Sequence, residues 1–319
     1  MQDKMLLVDK ELVALATVLP DLDIVPASIG AIRQSLEDQF ASQQAGQGIS
    51  GESVQLPTGD GSVIRALFYR GRSAPASAPA FLNIHGGGFL FGSPEWDDAT
   101  NRNIADELGI VVVSVDYRLC PEHPFPIPLH DCYAALQWMH DNSGSLGIDP
   151  GRIGIGGGSA GGGLAAALAL LARDRGEIAL RCQILTYPML DDRTGRADGP
   201  ALFPHVGQLS WTPANNCAGW SGMLGAAAGG PDVSPHASPA RAESLTGLPP
   251  TFIAVGDIDL FLQEDLEYAR RLMASAVPTE LHVYAGAIHG FELAADSTVA
   301  RNFQRDRLAA LKRMLLSDG

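Results

Sequence analysis

The residues whose chemistry is easiest to interpret surround one serine, Ser159. It lies in the segment RIGIGGGSAGGGLAAALALLA, which begins at Arg152 and joins a short apolar run, a cluster of glycines and a helix-forming stretch. Gly157, Ser159 and Gly161 match the pattern G-x-S-x-G, in which a sharp turn between a strand and a helix exposes a nucleophilic serine. Small residues are needed beside the serine because the strand and the helix crowd the turn. The segment therefore predicts Ser159 as a nucleophile.

The same glycines allow a second interpretation, a loop that holds the phosphates of a dinucleotide. Gly156, Gly158 and Gly161 match G-x-G-x-x-G, which also lies between a strand and a helix. A dinucleotide site requires an acidic residue at the end of the next strand, but the next strand-like run ends in Tyr187 and Pro188. No Lys-Ser or Lys-Thr follows the loop, as a P-loop would require. The nucleophile is the better interpretation.

A serine hydroxyl needs a base to become a nucleophile, and eight histidines are available. They are His85, His123, His130, His140, His205, His236, His282 and His289. His289 follows the last strand-like run, in AGAIHGF, where a loop imidazole can reach the ends of other strands. His282 lies within that run, and His130 and His140 belong to a predicted helix. His289 is therefore the predicted base.

The carboxylate that orients this imidazole should follow the preceding strand-like run, TFIAVG. Asp257 and Asp259 both stand there, and either could reach the imidazole; the pattern favours Asp259 only slightly. The serine, the acid and the histidine each follow a separate strand. Parallel strands present their carboxyl ends at one edge of a sheet, so the three groups are expected to meet as a Ser-His-Asp triad.

A second glycine cluster could supply hydrogen-bond donors for an anionic intermediate. His85-Gly86-Gly87-Gly88-Phe89 directly follows the strand-like run AFLNI. Three glycines let a loop pass close to a substrate and turn its backbone N–H groups inward. Together with a nucleophilic serine further along the chain, this loop predicts an oxyanion hole.

The elements that must position these residues alternate between strand-like and helical runs. This alternation predicts an α/β fold, with a mostly parallel central sheet flanked by helices. Residues 1–50 have a helical pattern, and about 191–245 lack a strong strand and are too many for a simple loop. We expect a catalytic domain over 51–319, with 1–50 as an N-terminal helical cap segment and about 191–245 contributing further cap elements.

Composition and charge exclude several other functions. The 22 Lys and Arg against 36 Asp and Glu give a formal charge of −14, without a basic stripe, so nucleic acid is not an expected partner. Cys120, Cys132, Cys182 and Cys217 have no paired-ligand spacing, which indicates free thiols in a reducing compartment. The first residues lack the features of a signal peptide, and no apolar stretch approaches the roughly 20 residues that span a bilayer. We expect a cytoplasmic protein without a membrane span.

Five motifs in this order resemble one family. They are His85-Gly86-Gly87-Gly88, VDYRL at 115–119 with PEHPFP at 121–126, Ser159-Ala160-Gly161-Gly162, Asp259 through Glu264, and His289-Gly290-Phe291. From about residue 60 onward the chain is similar to the bacterial hormone-sensitive-lipase-like esterases of the α/β-hydrolase fold, whose triad follows in the order serine, acid, histidine.

The resemblance implies a carboxylic ester hydrolase that favours short- to medium-chain esters. It makes Asp259 the triad acid, because the family pattern D-x-L/F-x-x-E fits Asp259 with Glu264. The implied oxyanion donors are the amides of Gly87, Gly88 and Ala160, with Gly86 as a weaker candidate. Gly158 and Cys120 depart from the family pattern, which usually has Asp or Thr and alanine at these positions, but neither change removes a catalytic group.

We therefore expect hydrolysis of small-molecule esters through an acyl-enzyme on Ser159, with no metal or organic cofactor. An amidase, formamidase or peptidase with the same triad is the alternative, because a harder leaving group needs only better protonation by His289. A non-catalytic ligand receptor on the same fold is a remote alternative, which the presence of His289 disfavours. A homodimer is compatible with the resemblance.

Overall fold

A computed structural model describes residues 4–19, 22–43 and 48–317 of the chain. The helices are α1 (Val13–Val18), α2 (Ile29–Gln43), α3 (Asp98–Leu108), α4 (Ile127–Asp141), α5 (Ser143–Leu146), α6 (Ala160–Arg175), α7 (Pro213–Leu224), α8 (Leu262–Ala274) and α9 (Thr298–Leu316). The strands are β1 (Glu52–Pro57), β2 (Val63–Arg70), β3 (Ala78–Ile84), β4 (Val111–Asp116), β5 (Ile148–Gly158), β6 (Cys182–Thr186), β7 (Thr251–Gly256) and β8 (Thr279–Tyr284).

Within these ranges the strands form one sheet in the order β1-β2-β4-β3-β5-β6-β7-β8. Neighbours from β4 to β8 run parallel, whereas β2 is antiparallel to both β1 and β4. Parallel sheets carry helices on both faces, and β3, β6 and β7 are accordingly buried at every residue. The predicted α/β fold is confirmed.

The sheet has a hydrophobic core on each of its two faces, because consecutive side chains of a strand point to opposite faces. Leu82 of β3 belongs to a core with residues of α4, α6 and α8. Its neighbour Phe81 belongs to the core on the opposite face, with residues of α3 and α9. No helix among the described residues combines the length and the apolar character needed to cross a bilayer.

The strand order reverses beside β3. The chain passes from β3 to β4 on one side, and α4 then returns it to β5 on the other side. Open α/β sheets bind ligands beyond the carboxyl ends of the strands at such a reversal. The two segments that leave β3 and β5 here are the predicted oxyanion loop and the turn that carries Ser159.

Two regions show where the pattern of the sequence was less informative. The pattern of the sequence does not predict β1, because only Leu56 of this edge strand is buried and the apolar alternation is weak. Residues 191–245 contain no strand, as expected, and fold into α7 and short 3-10 turns. The N-terminal segment contributes α1 and α2, and residues 44–47 of this segment lie outside the described ranges.

Candidate active site

The turn that carries Ser159 has the strained geometry that the sequence predicted. Ser159 stands between β5 and α6 with φ 56° and ψ −122°, a conformation that is unfavourable for a non-glycine residue. A Cβ at Gly157 or Gly161 would lie 2.3 Å or 2.0 Å from the carbonyl oxygen of Ile84. Glycine is required at both positions because the last residue of β3 contacts this turn directly.

Ser159, His289 and Asp259 are brought together at the carboxyl ends of β5, β8 and β7. The imidazole Nε2 of His289 lies 3.0 Å from Ser159 Oγ, and its Nδ1 lies 2.8 Å from Asp259 Oδ2. All three residues are buried. A buried carboxylate beside Nδ1 favours the tautomer in which Nδ1 carries the proton, and this leaves Nε2 free to accept the serine proton.

The two aspartates after β7 have different partners. Asp259 Oδ1 accepts a hydrogen bond from the Phe261 amide at 2.9 Å, which holds the carboxylate while Oδ2 faces His289. Asp257 Oδ1 instead accepts from the Gly286 amide at 2.7 Å. Asp257 therefore ties β7 to the turn after β8, and Asp259 is the residue that contacts the imidazole.

The glycine loop after β3 lies against the serine turn. A Cβ at Gly86 would lie 3.6 Å from Ser159 Cβ. Gly87 and Gly88 have φ values of 114° and 60°, and a Cβ on them would lie 2.2 Å from the Phe91 carbonyl oxygen and 2.3 Å from Trp211 Cη2. Among the described residues, the amides of Gly87, Gly88 and Ala160 find no backbone acceptor. These amides therefore remain the candidate donors for an oxygen bound at Ser159.

His85, the first residue of this loop, packs against Tyr117 of the VDYRL segment. Its ring stacks on Tyr117 with the centroids 4.2 Å apart, and the Tyr117 hydroxyl donates to the His85 carbonyl at 3.1 Å. Burial lowers the pKa of the His85 imidazole, which favours the neutral form. The VDYRL segment of 115–119 thus stabilises the oxyanion loop.

Glu264 holds another part of the site in place. This buried carboxyl accepts from the Leu190 amide at 2.6 Å and from the Thr194 hydroxyl. Burial raises the pKa of Glu264 because desolvation disfavours the charged carboxylate. The hydrogen bonds that this carboxyl accepts offset part of the desolvation penalty. Its role is to fix the segment that follows β6, while Asp259 at the start of the same motif contacts His289.

Ser159 lines a cavity of about 320 Å³. This volume is at the lower end of the range for sites that bind small molecules. The rings of Tyr187, Phe261 and Trp211 surround His289, with centroids 4.4, 5.3 and 6.3 Å from the imidazole. Of these three rings, those of Tyr187 and Trp211 also line the cavity, and an aromatic wall suits the apolar chain of a small substrate.

Several residues that line the cavity could not be found from the sequence. They are Asn83, Asp97, Glu292, Gln304 and Arg307. No motif marks them, because they come from β3, the start of α3, the loop after His289 and α9. Only the packing of α3 and α9 against the sheet brings them into one wall.

Comparison with known proteins identifies the family to which this chain belongs. A family model described as the α/β-hydrolase fold matches residues 81–293. Esterase LipI of Mycobacterium tuberculosis is 38% identical over 225 residues, which cover 68% of this chain and 66% of that relative, just under two thirds of its length. Carboxylesterase NlhH of the same organism is 36% identical over 252 residues, 74% of each chain.

A solved structure agrees over nearly the whole chain. A bacterial heroin esterase is 37% identical and superposes with a TM-score of 0.91, covering 98% of this chain and 99% of that one. Similarity at this level extends to the N-terminal segment, which lies outside the matched family model. The strand order, the serine turn and these similarities together show that the chain belongs to the α/β-hydrolase family, among the hormone-sensitive-lipase-like esterases that its motifs resemble.

Proposed function

We propose that this protein is a carboxylesterase that cleaves short- to medium-chain esters through Ser159, His289 and Asp259. The hydrogen-bonded row of these three side chains, with separations of 3.0 and 2.8 Å, is the observation that carries the proposal. Most of the related proteins whose names state an activity are esterases or ester hydrolases, and one, 49% identical over 115 residues, is an arylacetamide deacetylase. The small cavity beside Ser159 accounts for the preference in chain length.

The reaction follows from the positions of the reacting atoms. His289 Nε2 takes the proton of Ser159 as Oγ attacks the ester carbonyl, and the amides of Gly87, Gly88 and Ala160 bind the oxyanion. His289 then protonates the leaving alcohol as its C–O bond breaks, which leaves an acyl group on Ser159. A water activated by His289 releases the acid, and Asp259 stabilises the imidazolium in both steps.

A substrate series tests the reaction class. The purified protein should hydrolyse p-nitrophenyl acetate, butyrate and hexanoate with kcat/KM well above that for the palmitate, because the cavity is small. Matched p-nitroanilides should react far more slowly. Faster cleavage of the anilides would favour the amidase alternative, and binding of esters without turnover would favour a receptor. The release of p-nitrophenol and p-nitroaniline, followed by absorbance, distinguishes the three.

We also infer that α1 and α2 form a cap over the site. Leu19, Leu22 and Leu36 line the same cavity as Ser159. The Asp9 amide, ahead of α1, donates to the Gly286 carbonyl at 2.9 Å, close to the His289 loop. On the other side, Arg33 of α2 fastens the cap to the oxyanion loop.

Arg33→Met should raise KM about tenfold with little change in kcat. The guanidinium of Arg33 donates to the Leu90 carbonyl at 2.8 Å and to the Cys120 carbonyl at 2.6 Å. Hydrogen bonds from charged donors contribute about 1.5–3 kcal/mol each, so their loss should loosen the cap. Steady-state kinetics with p-nitrophenyl butyrate measures the effect.

Glu122→Gln is the matched control. Glu122 pairs with Arg33 at 2.8 Å, but its side chain is 54% exposed, and exposed ion pairs contribute little. This variant should keep KM within about twofold, because Arg33 retains both carbonyl partners. An unchanged KM in Arg33→Met would contradict the assignment of α2 as a cap.

The remaining expectations concern partners and location. The expected partner is a small-molecule ester, in keeping with the relatives named as esterases. The lack of nucleic-acid binding, the homodimer and the cytoplasmic location stay predictions. So do the boundaries of the cap and catalytic domains at residue 50 and at about 191–245.

A further inference from the structure

The active-site cavity has a polar wall that the hydrolysis mechanism does not use. Asp97, Glu292, Gln304 and Arg307 line it together with Ser159, and we refer to these four side chains as the polar wall. An esterase that handled only alkyl chains would gain nothing from charged groups in its pocket, because charges removed from water without full pairing are destabilising.

Gly158 keeps the route to this wall open. Gly154, Gly156 and Gly158 point to the α3 and α9 face of β5, since alternate residues share a face. The Phe81 ring covers Gly156, where a Cβ would lie 2.7 Å from Phe81 Cζ. At Gly158 a Cβ would have only the Tyr187 ring nearby, at 3.6 Å. The missing side chain beside the nucleophile therefore leaves space between Ser159 and the Tyr187 hydroxyl.

Arg307 brings a positive charge into this space. One terminal nitrogen donates to Gln304 Oε1, and the guanidinium lies over the Phe303 ring, 5.0 Å from its centroid. Its Nε is buried and has no hydrogen-bond partner among the described residues. Burial lowers the pKa of Arg307, and the charges of Asp97 and Glu292 oppose that effect. The donor on Nε is therefore unsatisfied within the described part of the chain.

Glu292 offers an acceptor in the same wall. The Tyr187 hydroxyl donates to its Oε1, while Oε2 is buried without a partner in the described part of the chain. Because the Tyr187 ring is 4.4 Å from the His289 ring, this carboxyl lies about one aromatic ring away from the catalytic imidazole. Burial raises the pKa of Glu292. Asp97, the other acid, accepts from Asn83 Nδ2 at 2.8 Å.

The charges of the wall decide which ligand group suits it. Two carboxyl groups and one guanidinium give no net positive charge, so the wall offers no surplus positive charge to an anionic substrate group. A cationic substrate group would be repelled by the guanidinium of Arg307. A neutral hydroxyl can accept from a guanidinium and donate to a carboxyl group at the same time, and it would satisfy buried groups that are otherwise unpaired.

We propose that the preferred substrates are esters that carry a neutral hydroxyl on one arm, a few bonds from the ester carbonyl, and that Arg307 and Glu292 bind this hydroxyl. The inference rests on the proposed ester hydrolysis at Ser159 and adds the substrate class. The hydroxyl could belong to the acyl arm, as in a hydroxy acid ester, or to the alcohol arm, as in a diol monoester.

Matched ester pairs test the proposal and identify the arm. One pair is methyl hexanoate and methyl 6-hydroxyhexanoate, and the other is hexyl acetate and 6-hydroxyhexyl acetate. In one pair the hydroxylated ester should have a kcat/KM about tenfold or more above that of its alkyl partner, the effect of one hydrogen bond to a charged group. Monomethyl adipate, with a carboxylate in place of the hydroxyl, should be a poor substrate.

Arg307→Met should bring the ratio of hydroxylated to alkyl ester close to one. The ratio is taken within one variant, so it does not depend on the fraction of protein that folds. Glu292→Gln should lower the same ratio and serves if Arg307→Met yields no folded protein. Arg305→Met is the matched control, because Arg305 lies on the same helix with a side chain 69% exposed; it should leave the ratio unchanged.

Three results would overturn the proposal. The first is equal kcat/KM within both ester pairs of the wild-type protein. The second is a ratio that survives in both Arg307→Met and Glu292→Gln. The third is a preference for monomethyl adipate, which would make the wall an anion site. Failure to hydrolyse any of the esters, methyl hexanoate included, would instead count against the proposed carboxylesterase activity.

Discussion

Replacing Ser159 with alanine should lower kcat for p-nitrophenyl butyrate by about 10⁴-fold or more. The hydroxyl is the only group in the proposed mechanism that forms a covalent bond to the substrate, and His289 has no other proton to accept from the nucleophile. The oxyanion amides and the cavity would remain, so a small residual rate is expected. Labelling with a fluorophosphonate, followed by mass spectrometry, should also disappear.

Ser210→Ala provides a closely matched control. Ser210 lines the same cavity and, like Ser159, has a positive φ, at 62° against 56°. Removal of its hydroxyl tests a general effect of serine loss in the pocket, at equal backbone strain. This variant should keep kcat within about twofold and retain the label. Comparable losses in the two variants would reject Ser159 as the nucleophile.

Asp259→Asn should lower kcat by about 10⁴-fold, with little change in folding stability. An asparagine keeps the oxygen that accepts from the Phe261 amide at 2.9 Å, so the loop should stay in place. Its NH2 group would donate to Nδ1 of His289, which forces the proton onto Nε2 and removes the base. The kcat from steady-state kinetics and the Tm from thermal unfolding measure the two quantities.

Asp257→Asn separates this role from a general effect of the loop. Its amide oxygen can still accept from Gly286, the partner of Asp257 at 2.7 Å, and it does not contact His289. We expect kcat to stay within a few-fold of the wild-type value. If Asp257→Asn were the more damaging of the two changes, the acid of the triad would be Asp257.

The local features of the site could be predicted from the sequence. The glycines beside Ser159 are needed because β3 lies against the turn, and the alternation of apolar runs dictates the parallel sheet. The α/β fold and the family predicted from these patterns are confirmed by the comparisons, and the esterase reaction remains the proposal that the variants test. The roles of Ser159, His289 and the oxyanion glycines stay predictions until the variants are made.

The choice between the two aspartates depends on tertiary structure. Both residues follow the same strand, and each is a carboxylate on the same short segment, so their local sequence could not separate them. The resemblance to a family favoured Asp259. The packing of β8 beside β7 explains why Asp259 is the partner of His289. The amide of Gly286, in the turn after β8, donates a hydrogen bond to Asp257, whereas the carboxylate of Asp259 faces His289.

What the sequence by itself determined is the chemistry of the turns, because a strained serine or a glycine loop depends on residues that are adjacent in the chain. The polar wall could be found only in the folded protein. Asp97 and Arg307 stand far apart in sequence and share no motif. They line the same cavity because α3 and α9 cover one face of the sheet at a place where Gly158 has no side chain to fill it.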